Sequence, residues 1–215
     1  TDTSILSPAR LAEALNDHAW VDYPALPGRR NHLRCGVLVA LRWRPEPEVL
    51  VTRRPQGLKH GGEWCFPGGR PEANDDDLYA TACREGREEL GLSHVSQLGR
   101  LSSMPIGTSD YRLEPFVVEV HDSEVTPDPG EVAECAALPL LTLIGLPELQ
   151  SLPFTWEGSV QRSPIFPLGD RYLFGATAHT LMELIRVGAS ALGVEGPVLG
   201  PTELTWEVIV AATRS

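Results

Sequence analysis

Residues 84–92 read Arg-Glu-Gly-Arg-Glu-Glu-Leu-Gly-Leu, and a Phe-Pro-Gly-Gly turn stands upstream at residues 66–69. Glu85, Glu88 and Glu89 are spaced i, i+3 and i+4, so on a helix their carboxylates project from one face. Three like charges on one stripe repel each other unless a cation neutralises them. Their oxygens are hard ligands without a Cys or His partner, which suits Mg²⁺ or Mn²⁺. Because Mg²⁺ favours a few carboxylates plus substrate phosphates, the stretch predicts metal-assisted attack on a phosphate ester or anhydride.

The surroundings of these glutamates decide between a metal-binding helix and the plainer alternative, a solvated acidic helix face. Gly91 stands where a helix C-terminus favours glycine. We expect one helix over about residues 75–90, entered by a loop from Gly69. Arg84 and Glu88 form an i, i+4 pair, so the arginine can hold one carboxylate while the others bind metal. The context favours the metal-binding helix.

The same stretch resembles the signature of the Nudix hydrolases, Gly-x5-Glu-x7-Arg-Glu-U-x-Glu-Glu-x-Gly-U, where U is a bulky aliphatic residue. One residue more than in this pattern separates Gly69 from Arg84, and Asp75 or Asp76 is nearest to the place of the upstream Glu. Gly86 fills the first aliphatic position, which is expected to weaken the packing of the helix by about 1 kcal/mol. The positions that fit are Arg84, Glu85, Glu88, Glu89, Gly91 and Leu92.

The resemblance implies the Nudix fold, an α+β or α/β/α sandwich with a mixed β-sheet and flanking helices. Apolar patterning predicts strands over 35–41, 49–53, 95–102, 112–120 and 131–137, and helices over 8–16, 138–149 and 177–192. A late hairpin is predicted from 156–166 and 171–174. We divide the chain into an N-terminal helix and extension (1–32), a Nudix hydrolase domain (33–192) and a C-terminal extension packed on it (193–215).

Composition agrees with a globular enzyme. The chain has 215 residues, of which 42% are hydrophobic, and a net charge of −11. That charge argues against a nucleic-acid partner. No apolar run approaches the length of a membrane span, and the beginning of the sequence shows no signal pattern, so we expect a cytoplasmic protein without a membrane partner. Its four cysteines are expected to be reduced and mostly buried. The oligomeric state stays open, with a homodimer among the alternatives.

A second resemblance, to coenzyme A pyrophosphatases, covers about residues 33–188. Residues 50–54 read Leu-Val-Thr-Arg-Arg, similar to a Leu-Leu-Thr-x-Arg stretch that precedes the turn in that group. Members carry the same additional residue between the turn and Arg-Glu. Residues 108–116 read Thr-Ser-Asp-Tyr-Arg-Leu-Glu-Pro-Phe, and residues 174–178 read Phe-Gly-Ala-Thr-Ala before a predicted helix, and both look like patterns of the group.

These resemblances imply roles for particular residues. Glu85, Glu88 and Glu89 would hold one or more Mg²⁺ or Mn²⁺ ions that bridge two phosphoryl groups and activate a water. A carboxylate then takes the proton of the water, and Arg84 supports the carboxylates. Glu85 is one candidate for this base. The others are Glu131 and Glu134, which could alternatively complete the metal shell.

Basic and glycine residues before the signature are candidates for binding a small nucleotide-type substrate. Arg53 or Arg54 would neutralise a phosphate, or else be a surface charge at a strand end. Lys59 and His60 lie in a glycine-rich segment and could reach a phosphate, or else belong to a solvated loop. The remaining candidates for substrate binding are Gly68 and Gly69, in the turn.

Three functions remain open at this stage. The first is hydrolysis of coenzyme A or its thioesters, which gives 3′,5′-ADP and a phosphopantetheine product. The second is hydrolysis of another nucleoside diphosphate derivative, such as ADP-ribose, a nucleotide sugar, a dinucleoside polyphosphate or an oxidised nucleotide. The third is a non-catalytic nucleotide-sensing module, against which the three intact glutamates speak.

Overall fold

The structure is a computed structural model that describes residues 5–57, 60–156 and 158–214. Its helices are α1 (Pro8–Asp17), α2 (Leu78–Leu90), α3 (Leu140–Ile144), α4 (Gly175–Leu192) and α5 (Trp206–Arg214). Its strands are β1 (Leu33–Trp43), β2 (Pro47–Arg53), β3 (Trp64–Cys65), β4 (Gly68–Gly69), β5 (Val95–Arg100), β6 (Met104–Pro105), β7 (Tyr111–Val120), β8 (Glu134–Pro139), β9 (Glu148–Trp156), β10 (Ser159–Pro164), β11 (Phe166–Leu168), β12 (Arg171–Leu173) and β13 (Val198–Gly200).

The central sheet has eight strands and is mixed, as the α+β prediction requires. Its main path runs β3-β2-β1-β7-β5, while β4 pairs with β1, β6 with β7, and β8 with β2. The β1–β7 pair is parallel, from Leu33 opposite Tyr111 to Leu41 opposite Glu119, and the other pairs in this sheet are antiparallel. β7 pairs along one edge of β1. Along the other edge, the first half of β1 pairs with β4 and its last residues pair with β2. This change of partner opens a gap between β2 and β4.

Alternating residues of β1 bury the two faces of the sheet under different helices. Leu38 and Ala40 pack in one cluster with Ala82 and Leu90 of α2. Val37, Val39 and Leu41 belong to the other cluster. Because successive side chains of a strand point to opposite faces, α2 covers one face. The second face is covered by α1, α3 and α4, whose buried residues include Leu11, Leu15, Ile144, Leu181 and Leu184.

The helix α2 is set by its two ends. Asp77 is the N-cap, and its Oδ1 accepts a hydrogen bond from the Ala80 amide at 2.8 Å. Gly91 ends the helix with a φ of 71°, in the left-handed region that favours glycine. The predicted end is therefore confirmed, but the predicted start at residue 75 is wrong. The helix begins at Leu78, since Asp77 is extended and uses its side chain as the cap.

Gly86 has a role opposite to the one expected from sequence. It is buried where α2 crosses β1, and a Cβ at this position would lie 2.5 Å from Leu38 Cδ2. Leu38 is itself fully buried. The expectation that glycine weakens packing here was wrong, because the missing side chain is what lets the helix approach the strand.

The second half of the chain departs from the predicted elements. The strand predicted over 131–137 begins at Glu134, and Glu131 lies in a turn in which its amide donates to the Asp128 carbonyl at 3.1 Å. The helix predicted over 138–149 is confined to α3. Instead of one late hairpin there are two, β9–β10 and β11–β12. Short strands interrupted by prolines carry too weak a period for these pairings to be read from sequence.

The two terminal segments pack against the central part of the chain. Helix α1 contacts α4 and β5, the strand β13 pairs in parallel with β9, and α5 contacts β12. The division into 1–32, 33–192 and 193–215 stays a prediction. The cysteines are free and each is only partly exposed, which agrees with the expectation of reduced, mostly buried thiols. Among the described residues, no helix has both the length and the apolar character needed to cross a membrane.

Candidate active site

Glu89 lies in the gap between β2 and β4. Its side chain is buried, at 5% exposure, and accepts hydrogen bonds from Thr52 Oγ1 at 3.2 Å and from the Gly68 amide at 3.3 Å. Burial raises the pKa of this carboxyl to about 7, an effect that the Gly68 hydrogen bond and the charge of Arg54 partly oppose. The Glu89 carboxylate thus bridges β2 and β4 across the gap between them.

Glu85 lies one turn earlier on the same face of α2, against the glycine turn. A Cβ at Gly69 would collide with the carboxylate group of Glu85, so a larger residue here would force this side chain to move. Burial raises the pKa of Glu85, with further contributions from the charges of Glu88 and Glu131, whereas Arg84 lowers it. Gly69 therefore makes room for a carboxylate, which is a more specific role than the substrate contact predicted for it.

Arg84 is the cation that organises this acidic face. Its Nη1 lies 3.0 Å from Glu85 Oε1 and 2.7 Å from Glu88 Oε2. Its Nε lies 3.1 Å from Asp75 Oδ1, and hydrogen bonding to Arg84 lowers the pKa of Asp75 to about 2. The predicted i, i+4 pair with Glu88 is confirmed.

Asp75 belongs to the network around Arg84, a part that the sequence did not settle. It stands six positions after Gly69, which is the distance from glycine to the upstream Glu in the family pattern. The additional residue of this chain therefore falls between Asp75 and Arg84. Asp75 also accepts a hydrogen bond from Thr81 Oγ1 at 2.9 Å, which ties the loop to α2. Counting from Gly69 alone would have found it.

Whether the acidic face fits a divalent cation depends on its donors and its charge balance. Within residues 5–57, 60–156 and 158–214, no group of three or more His, Cys, Asp or Glu side chains is already drawn together as a metal cage. Two of the three glutamates are instead held by Arg84. Burial raises the pKa of Glu85 and of Glu89, and the nearby Arg84 and Arg54 oppose this effect only in part. Hard carboxylate donors in that condition fit Mg²⁺ or Mn²⁺.

The loop that carries Glu131 is fastened to the C-terminal end of α2. The Asp128 amide donates to the Glu89 carbonyl at 2.9 Å, and the Thr126 amide donates to the Leu90 carbonyl at 2.9 Å. Glu131 is exposed in this loop and close enough to Glu85 for its charge to act on that carboxyl. Tertiary structure thus brings Glu131 to the helix from about forty positions away in sequence, a distance that no local pattern covers.

Arg53 and Glu134, predicted for separate roles, form an ion pair with each other at 3.0 Å. They stand opposite one another in the antiparallel β2–β8 pair, so their side chains share one face. Arg54 interacts with Glu89 and hydrogen-bonds to Cys65, whose pKa burial raises to about 11. Of these two arginines, Arg54 is the one that acts on the buried carboxylate.

The remaining predicted contacts lie in the glycine-rich segment. His60 has a positive φ of 60°, and its Nδ1 lies 3.3 Å from Glu63 Oε1. Lys59 lies outside the described residues. Across the turn, the Arg70 guanidinium lies 5.0 Å from the centre of the Tyr111 ring, and the Arg70 carbonyl accepts a hydrogen bond from Arg84 at 2.9 Å. Neither Arg70 nor Tyr111 was predicted from sequence.

Comparison with known proteins agrees with this geometry. The NUDIX domain family matches residues 32–155. This chain belongs to the Nudix family. It is 34% identical over 155 residues to the uncharacterized Nudix hydrolase NudL of Yersinia pestis (strain Pestoides F), covering 70% of this chain and 77% of that protein. The same values relate it to NudL of Yersinia pseudotuberculosis serotype O:1b (strain IP 31758).

Solved Nudix structures show a weaker similarity. A NUDIX hydrolase from Nitrosomonas europaea is 15% identical, with a TM-score of 0.46, and covers 79% of each chain. A MutT NUDIX hydrolase from Burkholderia pseudomallei is 18% identical, with a TM-score of 0.43, covering 70% of this chain and 96% of that one. Family membership and the mixed sheet confirm the predicted Nudix fold, and this Nudix chain is a diphosphate hydrolase that acts on nucleoside diphosphate derivatives.

Proposed function

We propose that this Nudix enzyme hydrolyses the diphosphate linkage of coenzyme A or its thioesters, giving 3′,5′-ADP and a phosphopantetheine product. The proposal rests on the positions of the segments that resemble coenzyme A pyrophosphatases. Thr52 of residues 50–54 donates a hydrogen bond to Glu89, and Tyr111 of residues 108–116 stacks with Arg70 beside Arg84. Segments far apart in sequence therefore meet around the acidic face.

The metal is part of the proposal. Glu85, Glu88 and Glu89 would hold Mg²⁺ or Mn²⁺, which supplies Lewis acidity at the diphosphate and activates the attacking water. Metal binding would release Glu85 and Glu88 from Arg84. The ion pair between Arg84 and Asp75 does not involve these ligands, so it would still hold the helix face in place. Arg84 and Asp75 thus provide a frame that is independent of the metal ligands.

The residues of the chain supply positioning and proton transfer. We place Glu131 as the base whose carboxylate takes the proton of the attacking water, because its loop is fastened to α2 and its charge acts on Glu85. Glu134 is less suited, since it is paired with Arg53. Glu85 is the alternative base. Arg54, which already acts on Glu89, would neutralise a phosphate of the diphosphate.

The second candidate is another nucleoside diphosphate derivative, such as ADP-ribose, a nucleotide sugar, a dinucleoside polyphosphate or an oxidised nucleotide. The acidic face suits these substrates equally well, because it would bind only their diphosphate. Coenzyme A differs from most of them by its 3′-phosphate. Arg53, Arg54, Lys59 and His60 form a basic stretch before the turn that could bind such a group.

The test compares kcat/KM for coenzyme A, dephospho-coenzyme A, ADP-ribose and a dinucleoside polyphosphate, each with Mg²⁺ and with Mn²⁺. A charge-assisted hydrogen bond to the 3′-phosphate is worth about 1.5–3 kcal/mol, so dephospho-coenzyme A should be cleaved about ten- to a hundredfold less efficiently. Equal efficiency would show that the 3′-phosphate is not recognised. Faster cleavage of ADP-ribose or the dinucleoside polyphosphate would assign the enzyme to the second candidate.

A further inference from the structure

A cavity of about 920 Å³ lies on the face of the sheet opposite α2. Its walls come from β6, the β9–β10 hairpin, the first half of α4 and the segment that follows α1. Its volume is at the upper end of the range usual for small-molecule sites. The acidic face of α2 uses none of the residues that line this cavity, among them Met104, Phe154, Trp156, Ala176 and Met182.

Two sets of polar groups in the cavity are already paired internally. His18 Nε2 lies 2.7 Å from Glu183 Oε1, which also accepts a hydrogen bond from Ser102 Oγ at 2.6 Å. His179 Nε2 lies 3.1 Å from Ser163 Oγ. Because a ligand that needs specific hydrogen bonds would have to break these pairs, the cavity favours an apolar guest over a nucleobase.

Apolar side chains at the mouth of the cavity remain exposed. Val160 is 72% exposed, Val198 63% and Val21 46%, and all three line the cavity. Exposed valines grouped around one opening mark a surface that becomes buried when a ligand binds. Aliphatic carbons of the ligand would cover them.

The register of the sheet connects this cavity to the acidic face. Cys35 of β1 stands opposite Leu113 of β7, and Leu113 stands opposite Met104 of β6, which lines the cavity. Paired residues point to the same face, and neighbouring strands are about 4.8 Å apart, so Met104 is about 10 Å from Cys35. Cys35 is close enough to Glu85 and Arg70 for their charges to act on its thiol. Two strand widths thus separate Met104 in the cavity from Cys35, whose thiol is within the electrostatic reach of Glu85.

We propose that this cavity binds the aliphatic acyl chain of a coenzyme A thioester whose diphosphate lies at the acidic face. The inference rests on the proposed function and deepens it, since it names the thioesters of longer acids as the preferred substrates. The pantetheine arm, which separates the diphosphate from the acyl group, is long enough to cross two strands. The arm would follow Cys35, Leu113 and Met104, and the acyl chain would enter between α4 and the β9–β10 hairpin.

The test measures binding by calorimetry in excess EDTA, with octanoyl-coenzyme A and acetyl-coenzyme A as the two probes. Burial of the additional methylenes should make octanoyl-coenzyme A bind the unmodified protein at least about tenfold tighter. Ala176→Trp fills the cavity and Val160→Glu places a charge at its mouth, so both should bring the ratio of the two dissociation constants close to one. Val194→Glu is the matched control, because Val194 is 51% exposed and does not line the cavity.

Equal binding of the two probes to the unmodified protein would overturn the inference. So would a ratio that survives both cavity variants, because the chain would then lie elsewhere. If Ala176→Trp does not fold, Val160→Glu decides alone, since Val160 is a surface residue. Turnover of coenzyme A with Mg²⁺ is measured separately. Tight octanoyl binding without any turnover of coenzyme A would refute the proposed function while leaving the acyl site standing.

Discussion

The acidic face of α2 and the cavity beside α4 are built in opposite ways. The acidic face takes its charged groups from one helix, with Arg84, Glu85, Glu88 and Glu89 inside six consecutive positions. The cavity takes its walls from segments between His18 and Trp206, and several of its polar groups are paired with each other. One region gathers several carboxylates, and the other presents uncovered apolar surface. This difference indicates that the diphosphate is bound through charge, whereas the part of the substrate that sets specificity is bound through apolar contacts.

The largest effect separating the two regions should come from removing divalent cations. Excess EDTA should lower hydrolysis by more than about a thousandfold, because the acidic face then has no cation to stabilise charge on the diphosphate. Adding Mg²⁺ or Mn²⁺ back should restore the rate. Binding of an acyl chain in the cavity should persist in EDTA, since no charged group of the acidic face lines it. Full hydrolysis in EDTA would show that the enzyme needs no divalent cation.

Glu89→Gln should lower kcat by at least about a hundredfold, as expected for the loss of a charge that acts on the transition state. Glutamine keeps the size of the side chain and can still accept the hydrogen bond from the Gly68 amide, so the thermal unfolding midpoint should change little. Steady-state kinetics and thermal unfolding measure the two effects. Glu195→Gln is the control, because Glu195 is exposed and outside the acidic face. A fully active Glu89→Gln enzyme would contradict the assignment of Glu89 as a metal ligand.

Gly86→Ala tests whether packing or helix propensity decides the stability of α2. Propensity alone predicts a gain of about 1 kcal/mol in the free energy of unfolding. The added Cβ would lie 2.5 Å from Leu38 Cδ2, so we expect a loss of about 1–3 kcal/mol instead. Urea unfolding measures the change, and Gly86→Ala in a Leu38→Ala background is the control that should abolish this cost. A more stable Gly86→Ala protein would show that the helix can move away.

The smallest effect concerns His179 in the cavity. Burial, together with the charge of Arg186, lowers its pKa from 6.5 to about 4. The unfolded chain therefore binds more protons between these values, and the free energy of unfolding should fall as the pH drops from about 6.5 to about 4. His179→Gln should remove about 3 kcal/mol of this pH dependence, measured as the difference between the two proteins in urea unfolding. Val194→Gln is the control, because it changes an exposed residue outside the cavity without removing a titratable group, so it should leave the pH dependence of unfolding unchanged.

Local spacing in the sequence was enough to predict α2, its end at Gly91 and the shared face of the three glutamates. These features depend on contacts within four or five residues, which every helix of this spacing repeats. The family signature added the fold, because its glycines and charges occur together at fixed distances. The strands β1 and β2 were also predicted, since their apolar runs are continuous.

Only the tertiary structure decided which residues meet across the sheet. It paired Asp75 with Arg84 and Arg53 with Glu134, and it brought Glu131 close enough to Glu85 for its charge to act on that carboxyl. It also reversed the expected cost of Gly86, because that cost depends on Leu38 of a distant strand. The cavity has no sequence signal at all, since its walls are assembled from separate segments. Spacing along a helix is set by covalent geometry, whereas pairing between strands is set by competing long-range contacts that no short stretch of sequence contains.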